Sequence, residues 1–152
     1  MAITEHLNAL GIQIPPVPKA LAAYIPSKRT GNLIFTSGQL PLREGKLQKT
    51  GKVGKNVSLE EAKDEARQCV LNALSTLLLH IPSLDHVKSI VKLGVYVASA
   101  ENFIEQHLVA NGASELLSQI FGEQGKHARF AIGVSSLPLD ASVELEMTVE
   151  VE

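Results

Sequence analysis

The chain has 152 residues, 45% of them hydrophobic and 20% charged, with a formal net charge of −2. That length buries about 70% of the unfolded surface in one core, so a single domain over 1–152 is expected, and the apolar content argues against disorder. The lone cysteine, Cys69, excludes an intrachain disulfide framework and a multi-cysteine zinc site. No apolar run nears the ~18 residues of a membrane span. The opening MAITEHLNAL, with no early base, is not a secretory signal, so a cytoplasmic protein is expected.

In chain order, Thr4 is the expected N-cap of a short helix closed by Gly11, with Leu7 and Leu10 turned inward. Pro15, Pro16 and Pro18 make 12–20 an extended connector. Two strands are expected in 24–37, broken by a turn at 28–32, and 45–54 reads as a polar, glycine-punctuated loop. Ser58 and Glu61 form a capping box, and apolar residues at helical spacing carry that helix on to Pro82. A β-branched strand spans 89–98, with a bulge expected at Gly94. Ser99 is the expected cap of a second helix, interrupted at Asn111-Gly112 and resumed over 114–121. The last two strands, 128–134 and 142–151, are expected to pair. The final one alternates strictly: Val143, Leu145, Met147, Val149 and Val151 on one face, acids and Thr148 on the other. The order β-β-α-β-α-β-β predicts an α+β domain, one mixed sheet with two main helices on one face, and assembly through the other face.

Charge is unevenly spread. Residues 1–57 hold eight bases and two acids, and the remainder six bases and fourteen acids. Such asymmetry can mark a nucleic-acid surface, yet no basic amphipathic helix and few aromatics accompany it, so a solvated loop with scattered lysines is the expected reading. Ser-His-Asp constellations, phosphate loops and metal-spaced histidines are absent from the sequence pattern. Cys69 sits among apolar helix positions and is expected to be buried and inert. Of the five histidines, His107 on the second helix and His127 ahead of a strand stand closest to candidate chemistry. Arg129 enters a strand, and its planar fork suits bidentate carboxylate binding. Glu144, on the strand expected to pair with it, would either neutralise that arginine or orient a water.

The segments Ala23-Tyr24, Gly31 to Pro41 with its Ser-Gly-Gln-Leu-Pro, Ala128-Arg129, Leu137-Pro138 and Val143-Glu144-Leu145-Glu146 together resemble the Rid (YjgF, reactive-intermediate deaminase) family. The likeness runs from about Pro18 to the C-terminus, with 1–17 as an extension. It implies a chorismate-mutase-like α+β fold, a homotrimer with ligand clefts between subunits, and no cofactor or metal. In deaminase members, 2-imino and enamino acids are hydrolysed to 2-keto acids and ammonia. Carried over, Arg129 grips the substrate carboxylate and Glu144 helps position the attacking water. Tyr24 lines the cleft from the neighbouring subunit, and Gly38 is the strand-end glycine facing the ligand. The pattern departs where His127 replaces a proline, Phe130 and Ala131 replace a small pair, and His107 stands in the place of an asparagine. The second helix is longer, as in a divergent endoribonuclease-like or chorismate-mutase-like branch. Two other functions fit the same residues: a non-catalytic trimeric binder of a small carboxylate metabolite, and an endoribonuclease or translation inhibitor. The last lacks a visible acid/base pair.

Overall fold

The computed structural model describes residues 2–19 and 23–152, so Ala20, the end of the expected connector, lies outside it. The capping box forms as predicted: the Ser58 hydroxyl accepts the Glu61 N–H at 3.1 Å, and the Glu61 carboxylate accepts the Ser58 N–H at 3.0 Å. Glu61 also pairs with Lys49 at 2.7 Å, and these bonds hold its carboxyl down at about 2. Behind the cap runs α2 (Leu59–Leu77), which ends before Pro82 in a few turn residues.

The other main helix, α3 (Gln106–Phe121), is continuous through Asn111-Gly112 instead of interrupted there. A glycine inside a helix normally costs about 1 kcal/mol. Here it is required, because a Cβ at 112 would strike the backbone carbonyl of Lys63 on α2. The two helices touch main chain to main chain. Ser99 caps nothing: its hydroxyl donates to Val97 O, and α3 starts seven residues later with the Gln106 amide reaching back to Ser99 and Phe103.

The short helix α1 (Ile3–Ala9) begins one residue before Thr4 and is capped from a distance. The Asp85 carboxylate accepts the N–H groups of Ile3 and Thr4 and the Thr4 hydroxyl. Its end matches expectation, since Gly11 takes φ +68° and lets the Ile12 N–H return to Leu7 O at 2.9 Å.

Among the described residues, five strands form one mixed sheet in the order β1-β2-β5-β3-β4. The hairpin of β1 (Ser27–Thr30) and β2 (Leu33–Thr36) turns on Gly31-Asn32 alone, so Lys28, Arg29 and Thr30 are strand residues, not turn. In β3 (Val87–Ala98) the register slips occur between Val87 and Lys92, not at Gly94. Gly94 serves packing instead: the Phe130 ring occupies the space its side chain would fill. The strands β4 (Ala128–Val134) and β5 (Val143–Val151) do not pair with each other. β3 lies between them, parallel to β4 and antiparallel to β5. The link between them passes the end of β3, where Ser99 N–H bonds Val134 O and Ala98 N–H bonds Ser142 O.

Both α2 and α3 cover one face of the sheet, and the alternation on β5 is realised without exception: its five apolar residues are at most 2% exposed. The opposite face is open. It carries Phe35, Tyr96, Phe130, Ile132, Glu144 and Glu146, with Tyr96 and Phe130 edge to face at 5.4 Å. Among the described residues, no helix is long and apolar enough to cross a membrane.

Candidate functional site

Register decides which face each candidate occupies. Arg129 stands opposite Leu93, and Leu93 opposite Met147, both buried under the helices. Paired residues share a face, so Arg129 projects on the helix side of edge strand β4, as does Ala131 opposite Val95. Phe130 points the other way, over Gly94 on the open face. Glu144 stands opposite Tyr96, also on the open face. Arg129 and Glu144 are therefore two strands apart, three register positions offset (roughly 10 Å along the strand) and on opposite sides of the sheet. The expected neighbourhood of the two within one chain is overturned. The reason is topological: a parallel β4 on the far side of β3.

The Arg129 guanidinium is held by a stripe on α3. Nη1 donates to Asn111 Oδ1 at 2.9 Å and to the Ser114 hydroxyl at 3.1 Å, and Nη2 donates to the His107 carbonyl at 3.4 Å. Positions 107, 111 and 114 lie on one helical face, which exists only because α3 continues through Gly112. The contact from His107 is its backbone carbonyl, while the residue itself is exposed. All of these acceptors are neutral, and among the described residues Arg129 makes no ion pair. Among the described residues nothing accepts from its Nε and Nη2 donates only once, and these two nitrogens form the edge that receives a carboxylate side-on.

Ser114 is tied in turn to His127. The imidazole Nδ1 lies 2.6 Å from Gly125 O and Nε2 lies 2.9 Å from Ser114 Oγ. A carbonyl only accepts, so Nδ1 carries the proton; in the neutral ring Nε2 then accepts from the Ser114 hydroxyl. Ser114 and His127, with Ser118, Gly125, Lys126 and Arg129, line a cavity of about 390 Å³ whose walls carry no aliphatic or aromatic side chain apart from the imidazole. Lys126 has an exposed partner in Glu123 at 3.0 Å.

A second cluster forms at the end of β2. Gly38 makes room for the Glu144 carboxylate, which a Cβ would hit. Backbone bonds between Gln39 and Leu145 hold this strand end against β5. Asn72 of α2 donates to the carbonyls of Leu40 and Leu42, both at 2.9 Å, and Arg43 bridges Asp64 and the buried Glu65 at 3.1 Å, fastening the next segment to the helix. Partial burial, then the nearby Glu146 carboxylate, push the Glu144 carboxyl above the ordinary carboxylate range. Tyr24 is 64% exposed beside a hollow it shares with Phe35 and Ser37, the residue before Gly38. Cys69 is fully buried, and burial pushes its thiol well above the usual range, in keeping with an inert core residue.

Sequence reading brings Arg129 and Glu144 forward but does not mark Ser114, Asn111 or the partner of His127. Their signal is the i, i+4, i+7 polar spacing on α3, hidden by treating Asn111-Gly112 as a break. Among the described residues, no three His, Cys, Asp or Glu side chains converge as metal ligands.

A family model described as "YjgF/chorismate_mutase-like, putative endoribonuclease" matches residues 4–151. Protein TCP17 of Trypanosoma cruzi is 39% identical over 149 residues, 97% of this chain and 93% of its own length. The crystal structure of Atu1372 from Agrobacterium tumefaciens, a protein of unknown function, superposes with a TM-score of 0.91 at 41% identity, covering 99% of this chain and 94% of that one. A 2-iminobutanoate/2-iminopropanoate deaminase of Dermatophagoides farinae is 24% identical over 146 residues, 93% of this chain and 95% of its own. With a match across nearly its whole length and the five-stranded α+β fold to accompany it, the chain belongs to the YjgF/Rid family.

Proposed function

We propose that this protein hydrolyses small 2-imino acids to 2-keto acids and ammonia, in a cleft that a second copy completes within a homotrimer. The observation that carries the reading is the state of Arg129. Its fork is oriented by neutral acceptors on one side and left with two open donors beside a polar cavity. A guanidinium held in place but not neutralised is suited to fix a substrate carboxylate without reorganising. The distant relative named as a deaminase of 2-imino acids supports the same chemistry.

The division of the site between two faces supports assembly. Glu144 and the adjoining Gly38 lie on the other side of the sheet from Arg129 and Ala131, and Tyr24 shares its hollow with Phe35 of that side, so one chain cannot enclose a ligand with both groups. Two copies meeting through the open face and the β4 edge would oppose the Glu144 cluster of one to the Arg129 cluster of the other. In that cleft Arg129 anchors the carboxylate, Tyr24 closes over it, and Glu144 orients the attacking water. The imine carbon is electrophilic already, so positioning and proton transfer make up most of the catalytic task.

The test is ammonia release from 2-iminopropanoate generated in situ. Arg129→Ala is expected to lower kcat/KM by about 100-fold, the equivalent of roughly 3 kcal/mol of charge-assisted hydrogen bonding. Its melting temperature should stay near that of the wild type, because the arginine is exposed. Sedimentation analysis is expected to return a trimer. A wild type that binds 2-keto acids through Arg129 yet releases no ammonia above the buffer rate would replace this reading with a carboxylate-binding function.

A further inference from the structure

We infer that His127 is a positioning residue for the Arg129 anchor: it sets the Ser114 hydroxyl as an acceptor behind the guanidinium, and so presets the edge that takes a carboxylate. The inference rests on the anchoring role given to Arg129 above. Ser114 and His127 lie behind Nη1, on the side of the planar fork away from the Nε–Nη2 edge. They therefore act through the arginine and do not touch the carboxylate it holds.

The polarity of the chain is set from its far end. A Cβ at Gly125 would strike the carbonyl of Leu117, so this turn lies against the main chain of α3. The Gly125 carbonyl accepts from His127 Nδ1 at 2.6 Å, which leaves Nε2 of the neutral ring as an acceptor. The Ser114 hydroxyl gives its single proton to Nε2 at 2.9 Å and turns its lone pairs to Arg129 Nη1 at 3.1 Å. Among the described residues that hydroxyl has no other partner. Without the imidazole, a helical serine turns its proton to a carbonyl of the preceding turn, and nothing aims its lone pairs at the arginine. The consequence falls on the fork. Nη1 has two hydrogens and both are used, one on Asn111 Oδ1 at 2.9 Å and one on Ser114, whereas the bond from Nη2 to the His107 carbonyl is long, at 3.4 Å. Two acceptors on Nη1 fix the guanidinium plane. With one of them the plane swings about the remaining contact, and ordering of the fork has to accompany carboxylate binding.

Bracing of the Gly125 turn is the competing role for His127, and two substitutions separate it from positioning. His127→Asn places an amide N–H where Nδ1 lies, so it keeps the Gly125 bond and loses Ser114. His127→Gln places its amide where Nε2 lies, with Oε1 able to accept from Ser114. The experiment measures the Kd of 2-oxobutanoate by calorimetry, with kcat and KM for ammonia release from 2-iminopropanoate. It covers both variants, Ser114→Ala, and the double variant His127→Asn/Ser114→Ala. Positioning predicts a Kd about 10-fold higher in His127→Asn and in Ser114→Ala, the size of one charge-assisted hydrogen bond weakened. It predicts binding close to wild type in His127→Gln. The double variant is expected to bind no more weakly than Ser114→Ala, because His127 acts only through that hydroxyl. In turnover the loss is expected in KM. A wild-type Kd in His127→Asn, a loss confined to His127→Gln, additive losses in the double variant, or a fall in kcat with Kd unchanged each overturns the inference. A wild type that does not bind 2-oxobutanoate overturns the anchoring role and the inference with it. A wild type that binds it but releases no ammonia above the buffer rate overturns the hydrolysis reading alone, and the pattern of Kd values still decides the role of His127.

Discussion

Along β5, Val143, Leu145, Met147, Val149 and Val151 are sealed beneath α2 and α3, whereas Glu144, Glu146, Thr148 and Glu150, one residue along in each case, are half-buried on the open face. The same backbone thus serves two environments that differ in kind. On the covered face, order comes from close packing, down to helix main chains in contact at Gly112. On the open face it comes from sparser contacts: the Phe130 ring seated over Gly94, Lys92 above that ring at 5.7 Å, and the Tyr96 hydroxyl donating to Glu146 at 2.9 Å. Aromatic side chains there lie next to acids, and burial with like charge raises the Glu144 carboxyl. A face that combines apolar rings with a carboxylate in an unfavourable setting is arranged for something other than the stability of a single chain. Arg129 belongs to the covered side but escapes burial because β4 is an edge strand, and for that reason it can hold a free charge.

The contrast between the faces can be broken by substitution. Leu145→Ala, at a site with no solvent exposure, is expected to cost about 2–5 kcal/mol in urea unfolding. Thr148→Ala on the open face should cost less than about 1 kcal/mol. Equal costs would mean that the open face is as deeply packed in solution as the covered one. Gly112→Ala comes next, at about 1–3 kcal/mol, because the added methyl meets a backbone carbonyl that cannot rotate away. A neutral result there would refute the close contact of α2 and α3.

The smallest effect concerns Glu144. Its folded-state pKa is raised, so between the unfolded value and the folded one the native state binds more protons than the unfolded state. Stability therefore falls as pH rises through that window, and the loss is complete above the folded pKa. Glu144→Gln removes it. The variant should melt close to the wild type near pH 4 and above it near pH 7, read by calorimetry at the two pH values. A variant less stable than wild type at neutral pH would show that the carboxylate is compensated by contacts in the assembled protein.

Much of this is legible in the chain. Ser58 and Glu61 announce α2 through local hydrogen bonding, and the alternation from Val143 to Val151 announces a strand with one buried face, because both signals are periodic and short-range. The failures share one cause. Thr4 reads locally as a cap, yet Asp85 supplies the cap from 81 residues away; Asn111-Gly112 reads as a break, yet Lys63 presses against it. Each local preference yields to a partner distant in sequence. The motif residues Tyr24, Gly38, Arg129 and Glu144 can be named from the likeness to a family, but not which of them share a face.

By itself, then, the sequence determined the element types, the buried face of β5 and the identity of the charged candidates, since these depend on backbone hydrogen bonding and side-chain periodicity over a few residues. Only the tertiary structure decided that β3 separates β4 from β5, that Arg129 and Glu144 stand on opposite faces, and that Ser114 and His127 join the arginine in one hydrogen-bonded chain. Strand order is set by which long-range packing buries the most apolar surface, and no local pattern encodes it.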